Sequence, residues 1–159
     1  MADYDKDASG ELSNSELKAC KGLAQLAENK LNPLDVDGSG EVSADELAAK
    51  FKAFVEVKRQ VFLCKVSFRN RPLEGGSVTL IPEPFLGKNV PSASGEVDLD
   101  GNCQLSTNDG LPGVVAGLYT VEIEHPNAKI PAKYNTETTL GIAVDSTNPY
   151  TEMPHFKLR

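Results

Sequence analysis

Two stretches of the sequence set oxygen-bearing side chains at alternate positions around a glycine. In the first, Asp5, Asp7 and Ser9 precede Gly10, and Glu11, Ser13 and Glu16 follow it. In the second, Asp35, Asp37 and Ser39 precede Gly40, and Glu41, Ser43 and Glu46 follow. Alternate spacing turns side chains toward one side of a tight loop, and the central glycine accepts the positive φ of its sharp bend. Three carboxylates per loop, with hydroxyl and carbonyl oxygens between them, suit a hard cation that gathers roughly six to eight oxygens at about 2.3–2.6 Å. Glu11 and Glu41 offer backbone carbonyls, which leaves their side chains to water. Around such a cation Ser13 and Ser43 would act through a bound water, and Glu16 and Glu46 would close the sphere with both carboxylate oxygens. Those two acids fall in the first turn of a following helix, where a carboxylate also suits the helix dipole.

Asp5–Glu16 and Asp35–Glu46 both fill every position that the EF-hand calcium loop specifies, and the chain here resembles an EF-hand pair. The resemblance implies two Ca2+ sites whose ligands are the residues just named. In such pairs the eighth loop position forms a short strand contact, so Leu12 and Val42 should touch. Serine stands at the fifth position in both loops, where Asp or Asn is commoner; three ligand carboxylates predict weaker binding than four. Loop one is expected to be the weaker. Asp5 lies too near residue 1 for a helix to precede it, which fits either an excised fragment of a longer parent or a loop-helix unit resembling a dockerin module.

The elements that must position these loops follow from the apolar spacing. A helix is predicted over Ser15–Ala27, with Leu17, Cys20, Ala24 and Ala27 on one face, then a short helix or turn bounded by Asn32-Pro33. Another helix runs Ala44–Arg59, its stripe made of Leu47, Phe51, Phe54 and Val55. This segment has no methionine beyond Met1, unlike the Met-rich groove of a calcium sensor. The charge is uneven: residues 1–56 carry −6 and residues 57–159 carry −1 of the total −7. An acidic first segment calls for cations and excludes nucleic acid as a partner. No apolar run is long enough for a transmembrane segment, and the opening Met1-Ala2-Asp3-Tyr4-Asp5-Lys6 is too polar for a signal peptide.

From Gln60 the pattern becomes alternating. Phe62, Cys64, Val66 and Phe68 fall on one face of a predicted half-buried strand. Further strands are expected at Ser77–Pro82, Gly95–Leu99, Asn102–Thr107, Gly117–His125, Thr139–Asp145 and Pro154–Leu158, separated by Gly- and Pro-rich turns. About seven short strands read as a β-sandwich. Arg71-Pro72-Leu73-Glu74-Gly75-Gly76-Ser77-Val78-Thr79-Leu80-Ile81-Pro82 resembles the opening hairpin of transthyretin-like, carboxypeptidase-regulatory-like domains. Asp98-Leu99-Asp100-Gly101 with Cys103, Leu105 and Thr107 is similar to their second hairpin, as are Gly117-Leu118-Tyr119-Thr120-Val121 and Ile130-Pro131-Ala132-Lys133-Tyr134 to later segments. The resemblance implies an extracytoplasmic, non-enzymatic accessory module of bacterial surface or secreted proteins. Hydrolases of a purine-derived lactam share that fold, but their Tyr-Arg-Gly-Ser signature is absent from this sequence.

The expected fold class is therefore α+β in two domains. Residues 1–59 form a small helical EF-hand pair, and residues 60–159 an Ig-like or prealbumin-like antiparallel sandwich. The expected function is a calcium-binding structural or interaction module, with a dockerin-like connector and a calcium sensor as alternatives. The expected partners are calcium and another envelope protein or the remainder of a parent chain. Asp98–Asp109 imitates a third calcium loop, but Cys103 stands where glycine should, so Asp100-Gly101 reads as a hairpin turn. His125 and His155 belong to no catalytic motif, and a structural place is expected for His125. Tyr119 reads as the buried-hydroxyl tyrosine of a sandwich. Cys64 and Cys103 could pair or remain buried thiols.

Overall fold

The computed structural model describes residues 3–27, 34–56, 59–86, 90–145 and 153–159. Its elements, in chain order, begin with β1 (Glu11–Leu12), α1 (Asn14–Leu17), α2 (Lys21–Ala27), β2 (Val42–Ser43) and α3 (Ala44–Glu56). The strands β3 (Phe62–Phe68), β4 (Arg71–Pro72), β5 (Ser77–Pro82), β6 (Ala93–Glu96), β7 (Asn102–Thr107), β8 (Gly117–Glu124), β9 (Gly141–Val144) and β10 (His155–Leu158) follow. The chain is thus α+β.

The strands form one curled sheet in the order β10-β3-β7-β6-β5-β8-β9, with β4 added to β3. All its pairings are antiparallel except that of β10, which runs parallel to β3. Side chains from both ends of the sheet meet in one apolar cluster. Phe62, Cys64 and Val66 of β3 and Phe156 of β10 pack with Val78, Leu80, Tyr119, Val121, Ile123 and Ile142. Such closure over a shared core is consistent with a β-sandwich. The expected Tyr119 is fully buried, and its hydroxyl donates to the Val115 carbonyl at 2.7 Å.

Strands β8 and β9 are apolar on both faces. Tyr119, Val121, Ile142 and Val144 face the sandwich core, whereas Leu118 and Ala143 point the other way into a second cluster. That cluster contains Leu12, Leu17, Cys20, Leu23, Leu34, Val42 and Leu47 from the helical segment. The sheet's outer face therefore shares one core with the underside of the two loops. Glycines set the distance of approach. A Cβ on Gly141 would stand 1.8 Å from the Lys21 carbonyl oxygen, and one on Gly22 would stand 2.7 Å from the Leu118 Cβ. Helix α2 lies directly on β8 and β9.

Several boundaries differ from the sequence reading. The expected helix Ser15–Ala27 is broken into α1 and α2, because α2 must turn onto the sheet. There Glu83, a buried carboxylate beyond the end of β5, accepts the Gly22 N–H at 3.1 Å. Leu17, Cys20 and Leu23 are its buried positions, while Ala24 is only half-buried. The Asn32-Pro33 turn and the side chains of Ala27, Phe54 and Val55 lie outside the described residues. In α3, Leu47 is buried and Phe51 half-buried. The predicted bounds of β5 and β7 match, and those of β6, β8, β9 and β10 shift by one or more residues.

Candidate metal centre

Each loop gathers its carboxylates. Asp5, Asp7 and Glu16 each bring a carboxylate oxygen to within 4.8 Å of the others, and so do Asp35, Asp37 and Glu46. The backbone enforces this. Gly10 and Gly40 take φ values of 87° and 93° at the bend, and their N–H groups donate to Asp5 Oδ2 at 3.0 Å and Asp35 Oδ2 at 2.9 Å. Ser9 and Ser39 N–H groups donate to Asp7 Oδ1 and Asp37 Oδ1, each at 3.0 Å. The hydroxyls of Ser9 and Ser39 donate to the carbonyls of Glu11 and Glu41 at 3.1 and 3.0 Å. Fifth- and seventh-position oxygens are therefore side by side, as the template requires.

The closing acids are the most firmly held. Glu16 accepts the Lys6 N–H at 2.7 Å and the Ser13 N–H at 2.9 Å; Glu46 accepts those of Val36 at 2.6 Å and Ser43 at 2.9 Å. The Ser13 and Ser43 hydroxyls donate to the same carboxylates at 2.7 and 2.9 Å. For Glu16 the Ser13 hydroxyl, then the backbone amides, hold the carboxyl at about 2; for Glu46 the Ser43 and Val36 amides lead, with the same result. Both acids are charged over any physiological range. Each serine also stands at the N-terminus of its helix, so the pair forms a capping box that starts α1 or α3. The ninth-position serines thus have a helix-starting role that the loop template alone did not assign.

Leu12 and Val42 meet as expected, opposite each other in the antiparallel β1–β2 bridge and both buried. The bridge also brings the seventh positions together. Glu41, half-buried, is hydrogen-bonded to Glu11 and held above the usual carboxylate range by that bond and by burial. Its side chain is therefore not simply solvated. Below the loops, Lys50, one turn beyond Glu46 on α3, pairs with the buried Asp145 at the end of β9 at 2.9 Å. Tyr4 packs edge-on to Phe85 at 6.0 Å, and Phe51 lies 5.9 Å from the same ring. Burial, then the Glu83 carboxylate, push the Cys20 thiol up to about 12, so it serves as core.

The donor set fits calcium. It consists of carboxylate, hydroxyl and carbonyl oxygens, without the thiolate or imidazole that softer metals favour. Asp35 Oδ1 is buried and has no hydrogen-bond partner among the described residues. A buried carboxylate oxygen without a donor is costly unless a cation meets it. Loop two thus has one oxygen whose need the described residues do not fill.

The imitation loop is different in kind. Asp98 Oδ1 accepts the N–H groups of Asp100 at 2.9 Å and Asn102 at 2.7 Å, and Gly101 turns at φ 82°. Its carboxylate is used inside a hairpin. His125 is also structural: Nδ1 accepts the N–H groups of Asn127 and Ala128, which makes Nε2 the donor to the Glu74 carbonyl at 2.8 Å.

Residues 31–52 match the family model described as EF hand. That match, with the converging acids, supports calcium binding. No curated protein and no solved structure matches the chain.

Proposed function

We propose that the chain is a calcium-stabilised, non-enzymatic structural module with one ion in each loop. Asp5, Asp7, Ser9, Glu11 and Glu16 hold the first ion, and Asp35, Asp37, Ser39, Glu41 and Glu46 the second. The observation that carries this reading is the shared core. The apolar undersides of both loops, Leu12 and Val42, are buried in one cluster that also holds Leu118 and Ala143 of the sheet. A sensor needs such a surface to appear on calcium binding; here it is already covered. Calcium would act as a clasp that fixes loop geometry and, through it, the seat of α2 and α3.

The transthyretin-like resemblance of residues 60–159 favours an envelope or secreted setting, where abundant calcium would keep both loops filled. The connector reading has one observation behind it. An apolar cavity of about 360 Å³ remains between the helices, lined by residues including Leu12, Cys20, Leu23, Leu47, Phe51 and Phe85.

Calorimetric titration tests the assignment. Two equivalents of calcium are expected to bind, one after Glu16→Gln and one after Glu46→Gln. Binding of a hydrophobic dye should fall as calcium is added. An unaltered chain that takes up no calcium would end the reading, and dye binding that rises with calcium would replace the clasp with a sensor.

A further inference from the structure

Cys64 on β3 and Cys103 on β7 stand directly opposite each other in the antiparallel register. The Val66 N–H donates to the Gly101 carbonyl at 2.7 Å, so residues 66 and 101 are a hydrogen-bonded pair. Two residues along, Cys64 and Cys103 are another. Pairs of this kind hold their Cα atoms about 5.5 Å apart, inside the roughly 4.4–6.8 Å that a disulfide spans, while their Cβ atoms stand at the wide end of roughly 4.5–5.5 Å and must draw in toward its roughly 3.5–4.5 Å. Both side chains point into the sandwich core and are 0% and 1% exposed. Gly95 on the neighbouring β6 leaves the sulfur its room, since a Cβ there would come within 2.9 Å of Cys103 Sγ. Cys20 belongs to the other apolar cluster, beneath the loops.

We propose that Cys64 and Cys103 are a modification site: a dithiol that a small or protein disulfide oxidises to a cross-strand bridge between β3 and β7. Either cysteine serves as the first nucleophile, Cys103 for instance. Its thiolate attacks one sulfur of the oxidant and releases a thiolate, leaving a mixed disulfide on Cys103. Cys64 loses its proton, attacks the Cys103 sulfur and expels the second oxidant thiol. Two protein thiols and one disulfide become one protein disulfide and two thiols, with two electrons passed to the oxidant. Because solvent does not reach either sulfur in the folded sheet, the exchange belongs to folding. Closing the bridge constrains the unfolded chain across β4, β5 and β6.

The test is to refold the full chain with calcium in a mixture of oxidised and reduced glutathione, and separately in a phosphine reductant. Each sample is then alkylated in denaturant and weighed intact. Oxidative refolding should leave one label, on Cys20, and a digest should yield a peptide joining Cys64 to Cys103. Reductive refolding should leave three labels. The oxidised form should melt roughly 5–10 °C higher than the reduced form. A Cys20→Ser variant, which keeps the pair intact, should take no label after oxidation. Three labels after oxidative refolding, a bridge through Cys20, or an oxidised form that melts no higher than the reduced would each overturn the proposal.

Discussion

Ala8 holds a φ of 59° at the fourth position of loop one, where loop two has Gly38 at 75°. A side chain in this left-handed region costs roughly 1–2 kcal/mol, and glycine avoids that cost. The two loops are otherwise near copies, so Ala8 is a physical reason for loop one to be the weaker site. Ala8→Gly is expected to stabilise the calcium-loaded chain by about 1 kcal/mol and to tighten loop one several-fold; Gly38→Ala should do the opposite to loop two. Denaturant midpoints and calcium titrations of both variants check this. Asp109 gives a prediction about acid. The Thr107 hydroxyl, then Arg59 and the Leu111 N–H, hold its carboxyl at about 2 against an ordinary 3.8. Since the folded value is depressed, the unfolded chain takes the proton first as pH falls. The stabilisation from Asp109 is full above about pH 4 and is lost as pH falls through about 2. Asp109→Asn should therefore be less stable than the unaltered chain at pH 6, with the two denaturation midpoints converging below pH 3. Glu16 and Glu46 add the same sign of dependence over a similar range in both proteins.

At the scale of elements, the contact of α2 with β8 and β9 depends on a missing side chain. Gly141→Ala would drive a methyl group into the Lys21 carbonyl and the Gly22 nitrogen, both backbone atoms that cannot swing aside. Helix α2 would have to lift, opening the cluster that contains Leu17, Leu23 and Leu118. The expected loss is about 3 kcal/mol in a denaturant series, with calcium affinity weakened although no ligand is touched. Nothing in the local spacing around Gly141 announces this contact. The loops were legible because their chemistry is written at fixed short intervals, and β5 and β7 because their alternation and turns are local. The break between α1 and α2 was not legible, since it follows from Glu83, far along the chain, holding the Gly22 N–H. The parallel pairing of β10 with β3 was equally hidden, because strand partners are chosen across long loops. One signal did exist. Gly117-Leu118-Tyr119 and Ile142-Ala143-Val144 are apolar without alternation, which marks strands covered on both faces. That pattern places a partner layer on the outer side of β8 and β9, and the helical segment is the layer found there.

At the scale of the whole molecule, the question is whether the calcium loops and the sandwich unfold together. Among the described residues, the links that join them include the cluster of Leu12, Val42 and Leu47 with Leu118 and Ala143, the Lys50–Asp145 ion pair, and the Glu83 carboxylate at the start of α2. Asp145 is 1% exposed, and removing its cationic partner weakens the compensation of a buried charge. Links of that kind make partial unfolding expensive, so one cooperative transition is expected. Free calcium at a hundredfold its Kd stabilises the folded state by about 2.7 kcal/mol per site. For a chain of this size one such increment raises Tm by roughly 5–10 °C. In a Tyr4→Phe background, which removes the tyrosine of the loop segment, the two parts carry separate reporters: helix signal in the far ultraviolet for the loops, and near-ultraviolet tyrosine signal, with Tyr119 buried in the core, for the sandwich. Adding chelator should lower both midpoints by the same amount, because calcium removed from the loops weakens the layer that covers β8 and β9. Lys50→Met should bring the two midpoints apart, since it cuts a link while leaving every calcium ligand in place. A tyrosine transition that ignores chelator in that background, with Lys50 in place, would mean that the loops ride on the sandwich without supporting it.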